Sequence, residues 1–131
     1  MDVPEDILAR EALLRSVPFF AALERVELAR LIGVLDEVRL PAGSVVVQEG
    51  AEADGLYLLD SGRVAVSVRT EDGDRVLAEL ESPAYFGELG LLVRRRTSTI
   101  RALTDVRLLR LPRDRFQTLT REFPAVRPGR S

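Results

Sequence analysis

The chain contains no cysteine, no histidine, no tryptophan and no lysine. The missing thiols exclude disulfides. With imidazole gone as well, a zinc, copper or non-haem iron centre would have only carboxylates left, and those suit magnesium or calcium better. Ser-His and Cys-His nucleophile pairs and a histidine general base are excluded for the same reason. All 19 basic residues are arginine, which reads as the codon composition of a GC-rich genome and carries no mechanism. They are outnumbered by 21 acidic residues, and a formal net charge of −2 offers no global attraction for nucleic acid. Long apolar runs are also missing: none approaches the roughly 18 residues that a membrane-spanning helix needs. The N-terminus, Met1-Asp2-Val3-Pro4-Glu5-Asp6, is acidic where a signal peptide would be basic. A cytoplasmic protein with no direct nucleic-acid contact and no membrane insertion is the expectation.

What remains is a chain of 131 residues, 46% hydrophobic and 31% charged, which suits one globular domain. Residues 1–35 read as helical, since Ile7, Leu8 and Leu14, then Leu28, Leu31, Ile32 and Leu35, recur at three- and four-residue spacings. Between the two stretches lies Ser16-Val17-Pro18-Phe19-Phe20, where Pro18 disfavours helix at the residue before it and the aromatic pair needs burial. Two short helices joined by an apolar elbow are expected. From Asp36 the period changes to two. Short β-branched and leucine-rich runs (Val45-Val46-Val47, Leu56-Tyr57-Leu58-Leu59, Val64 to Val68, Val76 to Leu80, Thr99 to Leu103, Val106 to Leu111) alternate with turn residues, and Glu71-Asp72-Gly73-Asp74 makes a hairpin tip. The spacing predicts an antiparallel β-sandwich or roll over 36–111. A final helix follows over 112–123 with Phe116, Leu119 and Phe123, and 124–131 reads as a tail or linker. The Phe19-Phe20 and Phe116-Phe123 aromatics are expected in the core.

The chemistry concentrates where the strand pattern is interrupted. Phe86 closes a strand, Gly87 lets the backbone approach something closely, and Glu88 to Leu92 can wind one helical turn whose free N–H groups favour an anion. Arg94-Arg95-Arg96 and Thr97-Ser98-Thr99 follow, supplying a guanidinium and hydroxyl and backbone donors that can complete a phosphate cradle. A carboxylate beside an anion site makes sense for a diol, because ionised Glu88 accepts hydrogen bonds from sugar hydroxyls. The set therefore describes a ligand carrying both a hydroxyl donor and a phosphate.

Phe86-Gly87-Glu88-Leu89-Gly90-Leu91-Leu92 with Arg96-Thr97-Ser98-Thr99-Ile100 closely resembles the phosphate-binding cassette of cyclic-nucleotide-binding domains. The likeness runs from residue 13 to about 123, through Leu40-Pro41-Ala42-Gly43, Gln48-Glu49-Gly50 and Leu56-Tyr57-Leu58-Leu59-Asp60-Ser61-Gly62. The resemblance implies an antiparallel double-stranded β-helix, a jelly-roll-like β-roll, with N-terminal helices and a C-terminal helix. It implies a ligand site formed by Phe86, Gly87, Glu88, Leu89, Gly90, Arg96, Thr97 and Ser98, with the cassette over 86–99. Glu88 would hold the ribose 2′-hydroxyl, Arg96 an equatorial phosphate oxygen, and Val66, Leu77 and Leu89 the base. No cofactor beyond the ligand, cyclic AMP or cyclic GMP, is implied. Two local departures stand out: Arg95 occupies the usual proline position, and the spacer before Arg96 is about one residue short. The family's long base-capping helix has no counterpart after Phe123, so either the cap lies outside this sequence or a neighbouring domain or second subunit is expected to supply it.

Blander readings compete with these. Arg94 and Arg95 fit a solvated loop, Asp72 and Asp74 a solvated hairpin tip, and Glu49 and Glu52 a surface loop. An enzyme on a similar roll, such as a cupin-type dioxygenase, lacks its histidines here. The expected function is a non-catalytic cyclic-nucleotide sensor that relays occupancy to an effector domain in the same or another chain. The alternative is a degenerate docking or dimerisation domain that binds no nucleotide.

Overall fold

The computed structural model describes residues 5–86 and 95–122. Helix α1 (Glu5–Arg15) and helix α2 (Arg25–Val34) are joined by a single 3-10 turn over Pro18–Phe20. Val17, the residue before proline, is extended at φ −86° and ψ 120°, so α1 cannot run on through the elbow. Glu24 and Glu27 start α2 as a capping box, with the Glu24 N–H donating to Glu27 Oε1 at 2.9 Å. The apolar elbow is driven inward: Val17 and Phe20 are fully buried and Leu23 nearly so. The side chains of Phe19 and Phe116, and all of Phe123, lie outside what is described.

The apolar positions that mark α1 are unevenly covered. Leu14 is buried, but Ile7 and Leu8 are 38% and 47% exposed. Ile7 sits two turns ahead of Leu14 on the same side of α1, so its exposure marks where cover ends along the helix axis rather than a change of face.

Among the described residues eight strands follow: β1 (Asp36–Leu40), β2 (Val45–Val47), β3 (Gly55–Ser61), β4 (Arg63–Thr70), β5 (Gly73–Glu81), β6 (Ala84–Phe86), β7 (Thr99–Ala102) and β8 (Val106–Pro112). They form two antiparallel sheets, in the orders β1-β8-β3-β6 and β2-β7-β4-β5. The chain changes sheet between β3 and β4 at Gly62, where φ is +95° and a Cβ would collide with the Asp105 carbonyl oxygen. Helix α3 (Arg113–Glu122) leaves directly from β8. The mainly antiparallel β-roll with flanking helices is therefore the observed fold.

Strands β3 and β8 are covered on both faces, which is why they read as near-continuous apolar runs. Leu56 and Leu58 of β3, with Leu109 and Leu111 of β8, pack under the N-terminal helices against Leu14, Phe20 and Leu28. Their neighbours Tyr57, Leu59 and Leu108 point the other way and meet Val64, Ile100 and Phe86 between the sheets. The molecule is thus three layers, helices on sheet on sheet, with β3 and β8 forming the shared wall.

Candidate functional site

The loop between β2 and β3 and the segment entering β7 are stitched together by main-chain bonds. Arg96 N donates to Ala51 O at 2.8 Å, and Gly50 N donates to Arg96 O at 2.9 Å. The Thr99 hydroxyl accepts from Glu49 N at 2.9 Å and from Gln48 Nε2 at 3.3 Å, while Arg95 Nη1 reaches Gly50 O at 3.3 Å. Glu49 Oε1 in turn accepts from Arg69 N at 2.8 Å, fixing the loop to the end of β4.

This clamp sets the position of one buried cation. Arg96 is 6% exposed, and among the described residues it is the buried charged side chain. Its Nη2 donates to Asp54 Oδ1 at 2.8 Å and to the Gly55 carbonyl at 2.7 Å. The guanidinium carbon lies 5.6 Å from the centre of the Tyr57 ring, a cation–π arrangement of about 0.5–2 kcal/mol. Tyr57 is itself stacked on Phe86, with ring centres 5.3 Å apart and planes inclined by 11°. The last residue of β6 is therefore linked to Arg96 through one aromatic ring.

Asp54 gathers the surrounding donors. Its Oδ2 accepts from Arg110 Nη1 at 2.9 Å and from the Tyr57 hydroxyl at 3.2 Å, and Arg110 Nη2 continues to Asp36 Oδ2 at 3.0 Å. Burial pushes the Asp54 carboxyl up, but the hydrogen bonds and charges of Arg96 and Arg110 outweigh it and hold the group below its ordinary range. Tyr57 is pushed up, first by burial and then by the neighbouring Asp54 charge. The Asp54 carbonyl also accepts from Arg113 N, the first residue of α3, at 3.0 Å. A cavity of about 190 Å³ opens beside these groups, with Val46, Gln48, Glu52, Asp54, Tyr57 and Arg96 in its wall. A fixed, desolvated guanidinium on a cavity wall is suited to a phosphate or carboxylate oxygen.

A model of the cyclic nucleotide-binding domain family matches residues 37–123, a span that contains every residue of this arrangement except Asp36. The chain belongs to that family. A cyclic nucleotide-binding domain relative, the cAMP-dependent protein kinase regulatory subunit of Aspergillus fumigatus, is 37% identical over 110 residues, covering 83% of this chain and 26% of the relative. The CRP-like cAMP-activated global transcriptional regulator of Mycobacterium tuberculosis is 32% identical over 124 residues, 93% of this chain and 53% of the relative. Among solved structures, the regulatory domain of Toxoplasma gondii PKA with cAMP superposes with a TM-score of 0.84 at 26% identity, over 91% of this chain and 46% of that one. The chain thus spans from about a quarter to about half the length of these proteins, which are named as regulators rather than enzymes.

Of the cyclic nucleotide-binding domain residues expected at the site, Phe86 and Arg96 are brought together, with Tyr57 between them. Phe86 is buried beneath the site and braces it. Thr97 is exposed and Ser98 half-buried, immediately after Arg96. Gly87, Glu88, Leu89 and Gly90, and also Arg94, lie outside the described residues. Val66 is half-buried against the inter-sheet core. Leu77 is 56% exposed and stands at a bulge of β5, where Val66 pairs with Ala78 and Ser67 with Val76. Asp54, Tyr57 and Arg110 were not singled out from sequence. Asp54 had one available signal, an acidic residue directly before Gly55 and the apolar run Leu56-Tyr57-Leu58-Leu59.

Proposed function

We propose that this domain senses a cyclic nucleoside monophosphate, cyclic AMP ahead of cyclic GMP, and relays occupancy to an effector domain in the same or a partner chain. The observation that carries this reading is the buried Arg96 guanidinium held on a cavity wall by Asp54 and Tyr57 inside the family-matching span. Arg96 would pair with an equatorial phosphate oxygen, Glu88 would accept from the ribose 2′-hydroxyl, and the Gly87, Leu89, Gly90 and Thr97 main chain with the Ser98 hydroxyl would complete the cradle. Val66 and Leu77 would face the base. Such a role needs neither a cofactor nor catalysis by the domain. The names of the kinase and transcription-factor relatives support cyclic AMP as the ligand and a regulatory output. Relay requires that the helices pack differently in the empty and filled states, since a ligand shifts only an equilibrium whose two states it distinguishes.

The test is isothermal titration of the chain with cyclic AMP and cyclic GMP, with Arg96→Ala alongside. Removing one partner of a buried charge pair costs about 2–5 kcal/mol, so affinity should fall by roughly 30-fold to several thousand-fold. An unchanged affinity in the variant would remove Arg96 from its assigned role. No heat with either nucleotide, repeated with a longer chain that restores any base cap, would favour the docking-domain reading.

A further inference from the structure

The Arg96–Asp54 pair raises a difficulty for an anion site. Taken alone, a guanidinium and a carboxylate 2.8 Å apart carry no net charge, and the carboxylate lies beside the place a phosphate would occupy. Asp54 would then both occupy the cation and repel the ligand. The geometry resolves this with Arg110, projecting from β8 on the opposite side of the carboxylate. Its Nη1 lies 2.9 Å from Asp54 Oδ2, while Arg96 holds Oδ1. The two oxygens of one carboxylate are thus shared between two guanidiniums, leaving the trio one positive charge in excess. Asp36 meets Arg110 from the far side at 3.0 Å, and it is Asp54, not Asp36, that stands in the cavity wall.

We propose that Arg110 is a positioning residue for the cyclic nucleotide: by neutralising Asp54 from behind, it lets Asp54 orient Arg96 without cancelling its charge toward the phosphate. The inference rests on the cyclic-nucleotide reading above and adds to it a residue in β8 that lies outside the cassette.

The experiment is a double-mutant cycle on the 131-residue chain, using Arg110→Gln, Asp54→Asn and the combination, with cyclic AMP affinity read by titration calorimetry. Arg110→Gln should weaken binding about tenfold in the parent, and by less than about twofold in the Asp54→Asn background, where no carboxylate remains to be neutralised. Arg110→Lys, which keeps the charge, should stay within about threefold of the parent and so separates charge from packing. An equal loss in both backgrounds would overturn the inference, because it would make Arg110 merely structural. So would a parent-like Arg110→Gln, even with Arg96→Ala abolishing binding, and that result would leave the sensor reading standing. Absence of binding by the unsubstituted chain, repeated with a longer chain that restores any base cap, would overturn both.

Discussion

Burying a guanidinium costs solvation that must be returned by partners, and Arg96 finds them in Asp54, the Gly55 carbonyl and the Tyr57 ring. Its own pairing with Arg96 and Arg110 makes Asp54 acid-sensitive. Its folded-state pKa is depressed, so the unfolded chain binds more protons through the window below about pH 4; its contribution is complete above that window and is lost as pH falls through the folded value. Urea unfolding followed from about pH 6 to about pH 2 should show the parent losing stability more steeply at the acid end than Asp54→Asn; parallel curves would mean that the pair is not formed in solution. Arg96 was singled out from Arg94 and Arg95 because Thr97-Ser98-Thr99-Ile100 anchors the register of the family resemblance there. Asp54 and Arg110 were not, because the carboxylate meets guanidiniums 42 and 56 residues further along the chain, and only the roll brings β3, β7 and β8 to one point. Leu77 was singled out by the resemblance rather than by alternation, and the bulge opposite Val66 and Ser67 that leaves it between two paired residues has no signal in the period-two pattern.

At the scale of elements, the strand runs and the elbow followed from local rules: proline before the aromatics, Asp-Gly at the hairpin tip, alternation elsewhere. What local rules could not divide was Leu56-Tyr57-Leu58-Leu59, a run that serves two cores at once. Truncating either side of that wall should be costly, and Leu58, fully buried beneath the helices, is the direct test. Leu58→Ala should lower the unfolding free energy by about 2–5 kcal/mol in denaturant titration, with the spread set by how far the helices settle into the gap. A loss under about 1 kcal/mol would mean that the helical layer is only loosely seated on the sheet. Ile7 and Leu8 mark the opposite case, where helical spacing was real but the cover ran out.

For the whole molecule, ligand binding and folding are linked by mass action. A nucleotide that binds only the folded chain adds about 2.7 kcal/mol of stability at one hundred times its Kd. Thermal unfolding of the chain should therefore move upward with cyclic AMP and move clearly less in Arg96→Ala at the same concentration; a parent that does not move at saturating nucleotide would speak against the sensor. With a net charge of −2, the proposed anionic ligand would have to be drawn by local charge, and two guanidiniums, Arg96 and Arg110, converge on Asp54.

The two-sided burial of β3 also governs where the chain can change length. One residue added or removed between Gly55 and Ser61 would rotate every later side chain of the strand by half a turn, sending Tyr57-type positions under the helices and Leu58-type positions toward Arg96. Both cores would be scrambled by a single codon. The exposed tip at Glu71-Asp72 has no such constraint. It is there, rather than anywhere along the shared wall, that an epitope or a fluorescent reporter could be spliced in while leaving both cores in register.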